Sequence, residues 1–203
     1  AAAAKADYEA LLDALEFNNS SDDFTDSVDK VFSVTANDGT TDSAAATFTV
    51  TMDATNDAPE VTLDASGSST NNSATFTELA GTDTGNNAVA FVTSGTSLVD
   101  VDNANLASLT VALTSGSVES GDELVLGSTV IDLTDTTSNT GEVEYGSTFF
   151  KYEVTDVSSV RTVTFESLNA SGGSVTPAAK ADYEALLDAL EFNNSSDDFT
   201  DGG

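Results

Sequence analysis

Two hundred and three residues carrying 35 acidic and 5 basic side chains give a formal net charge of −30, with no cysteine, histidine or tryptophan. That length suits one large domain or two small ones, and 39% hydrophobic residues can build a core. Disulfides, thiol nucleophiles, zinc sites of cysteine or histidine, histidine-ligated haem and Ser-His-Asp relays are excluded. The charge argues against nucleic acid, because phosphate binding needs clustered Lys and Arg. The basic residues Lys5, Lys30, Lys151, Arg161 and Lys180 cannot neutralise the acids, so cations are the natural partners of this surface. No run of eighteen apolar residues appears, so no helix is expected to insert in a membrane.

In chain order, Tyr8, Leu11, Leu12 and Leu15 fall at i, i+3, i+4 and i+7, which predicts an amphipathic helix. The acidic stretch Ser20–Asp29 lacks the glycine and terminal glutamate of a helix-loop-helix calcium loop and reads as a solvated loop. Phe32, Val34 and Ala36 then alternate with polar residues. Asn37-Asp38-Gly39 signals a turn, and Phe48, Val50 and Met52 alternate again. Apolar side chains are expected inward on this hairpin. A segment rich in Asp and Asn follows, Asp53-Ala54-Thr55-Asn56-Asp57-Ala58-Pro59.

Further strands are predicted at residues 73–78, 87–93, 107–113, 123–126, 128–133, 148–155 and 160–168. Asp100 and Asp102 lie two apart, so in an extended segment they point the same way and can address one ion. Calcium takes six to eight oxygen ligands from carboxylates, amides, carbonyls and water, which matches an Asp- and Asn-rich segment better than magnesium does. Asp122 with Glu123, and Asp132 with Asp135, read as solvated turns. Glu142 and Glu144 share a strand face, but without a cleft or a tryptophan platform they do not make a glycosidase dyad. No enzymatic activity is expected. The Asn-x-Ser/Thr triplets at Asn18, Asn19, Asn71 and Asn169 are matched by composition alone.

The helix sequence then returns. Residues 178–201 repeat residues 3–26, AAKADYEALLDALEFNNSSDDFTD, at all 24 positions and an offset of 175. Such identity marks a tandem array whose repeat is a whole domain. In the second copy, Thr176 and Pro177 predict a crisp helix start, which Ala1-Ala2 in the first copy do not. The pattern predicts a mainly β chain: an antiparallel β-sandwich with one short helix per module. Residues 1–55 form the C-terminal part of one module, 56–59 a linker, 60–201 the following module without its last strands, and 202–203 a tail. The chain reads as a segment of a longer protein. A module lacking its closing strands leaves a sheet edge, which invites a strand-swapped dimer.

The run SVTANDGTTDSAAATFTVTMDATNDAP (33–59) resembles the end of a bacterial cadherin-like repeat. FTE (76–78), VDVDNANLASLTVALTSG (99–116) and DYEALLDALEFNNSSDD (182–198) resemble the start and middle of the next. These are extender modules of large RTX-type adhesins, exported to the bacterial cell surface by type I secretion. The resemblance spans nearly the whole chain and rests on the order of the motifs. It implies calcium-clasped β-sandwiches, cadherin- or Ig-like, joined to neighbouring modules of the same polypeptide. It also implies calcium ligands at Asp53, Asn56 and Asp57 in the linker, Asp100 and Asp102 in the next module, and Glu78 on a strand. The linker departs from the family's Asp-x-Asn-Asp pattern, since two residues separate Asp53 from Asn56. The function so implied is a stiff spacer projecting a distal binding domain. The alternative is a sandwich whose loops bind glycan or another cell, multiplied for avidity. Surface aromatic residues would mark that alternative; Phe and Tyr are expected mostly on inward strand positions or the helix stripe, which favours the spacer.

Overall fold

A computed structural model describes residues 4–64, 66–67, 70–77, 87–136 and 139–196. The chain divides into two compact units, Ala1–Asn56 and Asp57–Gly203. The division falls inside the segment 56–59.

In the first unit, α1 (Lys5–Asp13) is followed by β1 (Lys30–Val34) and β2 (Ala46–Val50). The two strands pair antiparallel, with Phe32 opposite Phe48. Their connection is narrowed by a bridge between Asn37 and Asp42. Asp38 accepts the backbone N–H groups of Thr40 and Thr41 at 2.8 and 2.9 Å, an Asx-type turn that closes the loop. The sequence expectation of an inward apolar face fails here. Phe32 is 43% exposed and Phe48 57% exposed, and Met52 is the one hydrophobic residue buried among those described in this unit. One hairpin and one helix do not supply enough surface to cover each other.

The second unit contains β3 (Glu60–Thr62), β4 (Val89–Ala90), β5 (Ser97–Val99), β6 (Asn105–Leu106), β7 (Ser108–Leu113), β8 (Asp122–Leu126), β9 (Thr129–Asp132), β10 (Thr140–Tyr145), β11 (Thr148–Val157), β12 (Val160–Leu168), β13 (Ala178–Ala179), α2 (Lys180–Ala189) and β14 (Leu190–Asn194). Two four-stranded antiparallel sheets, ordered β10-β11-β12-β7 and β4-β14-β8-β9, form a β-sandwich. Alternation along β8 and β12 sends Leu124, Leu126, Val163 and Phe165 into one continuous core, shared with Ile131, Phe150 and Val154. β11 and β12 are joined by the two-residue turn Ser158-Ser159, both at positive φ (54° and 68°). A primed turn of this kind matches the twist of the long ladder it closes.

α2 is part of that core. Tyr183, Leu186 and Leu190 are completely buried and Leu187 nearly so, each side chain contributing about 1.5–3 kcal/mol. The Tyr183 ring lies 5.3 Å from that of Phe150. Its hydroxyl accepts the Ser167 N–H at 3.2 Å and donates to the Ala107 carbonyl at 3.1 Å. A buried phenol is thereby fully used.

Several sequence expectations are corrected. Thr176-Pro177 does not start α2. Ala178 and Ala179 first pair with Leu106 and Asn105, so the helix begins at Lys180. α1 begins at Lys5, the equivalent position, with the Asp7 carboxylate accepting the Ala4 N–H at 3.0 Å. The two copies thus start at equivalent residues, α1 with a carboxylate cap and α2 behind a short strand pairing. Residues 73–77 form no strand, and the expected strand 87–93 shrinks to β4. β3, β5, β6, β10, β13 and β14 were not legible from alternation. Most are short, and β14 carries a repeat segment whose strand follows the helix without a break.

Candidate functional site

The residues proposed as calcium ligands fall in both units. In the first, Asp53 and Asn56 are exposed. The neighbouring Ala54 N–H donates to Asp26 Oδ1 at 3.1 Å, and the Ser27 N–H donates to the Met52 carbonyl at 3.0 Å. The first of these bonds, with help from the Ser27 hydroxyl, holds the Asp26 carboxyl below its ordinary range. This stretch is therefore pinned to the loop at 26–27.

In the second unit, Asp100 is buried and organises a turn. Its Oδ1 accepts the backbone N–H groups of Asp102 at 3.0 Å and Asn103 at 2.7 Å. Asp102 Oδ2 accepts the Asp57 N–H, so the structure brings Asp57 to Asp102 across 45 residues. Glu78 lies outside the described residues. The oxygen chemistry suits calcium, but one carboxylate oxygen of Asp100 and one of Asp102 are committed to backbone N–H groups. Among the described residues, no three acids lie together as a group able to hold a metal ion.

The Asp100 turn is fixed from behind by α2. Lys180 Nζ donates to the Asp100 backbone carbonyl at 2.7 Å, and Glu184 Oε1 accepts the Leu98 N–H at 2.8 Å. Asp188 Oδ1 accepts the Thr96 N–H at 2.8 Å and its hydroxyl at 2.7 Å. Spacing of i, i+4 and i+8 aligns these three side chains along one helix face. They clamp residues 96–100, including β5, as a neighbouring strand would. Sequence reasoning missed this clamp, although three charged residues at helical spacing were its signal. They read equally well as a solvated face.

Asp122, Glu123 and Asp132, expected as solvated turns, and Glu142, from the rejected dyad, are also backbone or side-chain acceptors. Asp122 is only 7% exposed, with Oδ2 accepting the Glu119 N–H at 2.7 Å and Oδ1 the Asn194 amide at 2.8 Å. Glu123 accepts from the Ser195 hydroxyl at 2.6 Å and the Asn193 amide at 3.2 Å. Asp132 Oδ1 accepts the N–H and hydroxyl of Thr134 at 2.7 and 2.6 Å. Glu142 accepts from Ser171 and from the Gly172 N–H at 3.1 and 2.9 Å. With few cations available, turns and strand ends take carboxylates as caps instead. Ion pairing is limited to Lys151 with Glu153 and Glu166, at 3.6 and 3.9 Å, and Arg161 with Asp156 at 3.4 Å, among the described residues.

Set against protein-family models, curated proteins and solved structures, the chain matches none.

Proposed function

We propose that this chain is a structural extender from a tandem array on a bacterial cell surface, stiffened by calcium where successive modules meet. The repeat carries the reading: 24 residues recur unchanged at an offset of 175, a spacing that suits a whole sandwich domain. The second copy supplies the core helix of such a sandwich. A string of these domains is a spacer. Its surface, at a net charge of −30, repels itself until cations bind.

In this proposal Asp53, Asn56, Asp57, Glu78, Asp100 and Asp102 provide the calcium ligands. The Asp57–Asp102 hydrogen bond supports it by joining the junction segment to the Asp100 turn. α2 in turn holds that turn through Lys180. Ions bound there would fix the angle between modules. Binding to the folded state alone would add about 2.7 kcal/mol at a hundredfold excess over the dissociation constant. Weak sites, about 10⁻⁴–10⁻³ M, suffice for an extracellular module.

The test is calorimetric melting with calcium and with chelator, paired with small-angle scattering on several modules in tandem. Calcium should raise the melting temperature and lengthen the particle. If chelation changes neither quantity, calcium stiffening is abandoned.

A further inference from the structure

The sandwich of the second unit holds an apolar cavity of about 110 Å³. Phe91, Val111, Leu113, Leu124, Val163 and Phe192 are among the side chains lining it, drawn from both sheets and their flanking segments. Arg161 lines it too, and its Nη1 is buried without a hydrogen-bond partner among the described residues. An apolar hole beside an unused guanidinium N–H is a poor end state for a core.

The repeat says what belongs there. Phe192 is the equivalent of Phe17 at the offset of 175. In the first unit the Phe17 ring lies 5.7 Å from Phe32, and Phe32 stacks 6.3 Å from Phe48. Phe192 instead meets Phe76 edge-on at 5.7 Å and turns toward the cavity. Phe76 thus meets one edge of Phe192, but among the described residues no β-hairpin equivalent to β1–β2 follows it, and the side of Phe192 that lines the cavity stays open. Meanwhile β1 and β2 leave both of their rings largely exposed.

We propose that the β1–β2 hairpin of a second copy of this chain docks on the cavity of the second unit, seating Phe32 against Phe192 with Phe48 stacked behind it. The cavity is somewhat smaller than the ~150 Å³ apolar holes that admit a benzene ring, so Phe32 enters with one edge. Arg161 gains a π-face or a strand carbonyl for its unused N–H. Each copy carries one hairpin and one cavity, so reciprocal docking closes a two-fold dimer. The inference uses only the repeat and the packing, and stands apart from the calcium reading.

The test uses the full chain, which has no native cysteine. One chain carrying Phe32→Cys is mixed with another carrying Leu113→Cys under mild oxidation. A cross-linked heterodimer is expected, at several times the yield given by Val31→Cys, which sits on the opposite strand face. Sedimentation equilibrium should show a dimer that Phe32→Ser with Phe48→Ser weakens by roughly tenfold or more. Diluted to the monomer, the variant should melt like the parent, because both positions are exposed in the single chain, whereas at dimer-forming concentrations the parent alone should gain melting temperature. Equal yields from Val31→Cys and Phe32→Cys would overturn the proposal. So would a monomer at every concentration, or a third chain, carrying both Phe32→Cys and Leu113→Cys, that cross-links only within itself.

Discussion

Tyr8 and Tyr183 stand at equivalent positions of the 24-residue repeat, yet Tyr8 is 58% exposed while Tyr183 is completely buried. The same holds for the whole stripe: Leu11, Leu12 and Leu15 are exposed where Leu186, Leu187 and Leu190 are buried. Local sequence is held constant by the repeat, so the difference isolates tertiary packing. Both copies are helical, with α1 and α2 beginning at equivalent residues.

This pairing makes a controlled mutational experiment. Leu186→Ala should destabilise the second unit by about 2–5 kcal/mol, the usual cost of truncating a core leucine. Leu11→Ala, the same change in the same local sequence, should stay within about 0.5 kcal/mol. Urea unfolding followed by circular dichroism measures both. Equal losses would mean that the α1 stripe is also packed in solution.

The clamp predicts a second asymmetry. Glu184→Ala leaves the Leu98 N–H without its charged acceptor and should cost about 1–3 kcal/mol. Glu9→Ala, at the exposed equivalent position, should change stability little. Hydrogen exchange at Leu98 reports the event directly, and its protection should fall in the first variant alone.

Burial pushes the Tyr183 phenol above its ordinary value of 10.0, and the nearby Glu166 and Asp182 carboxylates push the same way against the Ser167 hydrogen bond. The folded chain therefore holds this proton more tightly than the unfolded one. Its contribution is complete below pH 10.0, and is lost as pH rises from there through the folded value. Tyr183→Phe should lower stability at neutral pH by about 1–3 kcal/mol, because Ser167 N–H and Ala107 C=O lose their partner. It should also flatten the alkaline limb of the stability curve. Denaturant midpoints between pH 7 and 11 test both effects.

At the acidic end, Asp26 is held below the ordinary carboxylate value of 3.8, chiefly by the Ala54 N–H. A depressed carboxyl contributes its stability above the unfolded value and loses it as pH falls through the folded one. The link between residues 26 and 54 should therefore loosen below pH 3.8 in the native chain. In Asp26→Asn the pH dependence at the Ala54 amide should disappear, as read by amide chemical shift.

Asp100 separates architecture from metal binding. Asp100→Ala removes the acceptor of two turn N–H groups and should cost about 1–3 kcal/mol even in chelator. Asp53→Ala, at an exposed residue, should cost little in chelator and reduce only the gain that calcium provides. Melting each variant with and without calcium yields both numbers.

The sequence by itself determined the β-rich class, the helix and its apolar stripe, the strands β8, β11 and β12, and the offset of the repeat. Each of these rests on local periodicity or on identity, which one chain displays in full. It could not decide which copy of the helix would be buried, because Tyr8 and Tyr183 have identical neighbours. Nor could it show that Lys180, Glu184 and Asp188 grip residues 96–100, or that Asp122 and Glu142 cap backbone and side-chain donors. Charge patterns read alike whether solvated or bonded. Only the tertiary structure decided these, because a helix face or a carboxylate acquires its role from what the rest of the chain places against it, and that placement spans 70 to 92 residues in contacts such as Asn193 to Glu123 and Thr96 to Asp188.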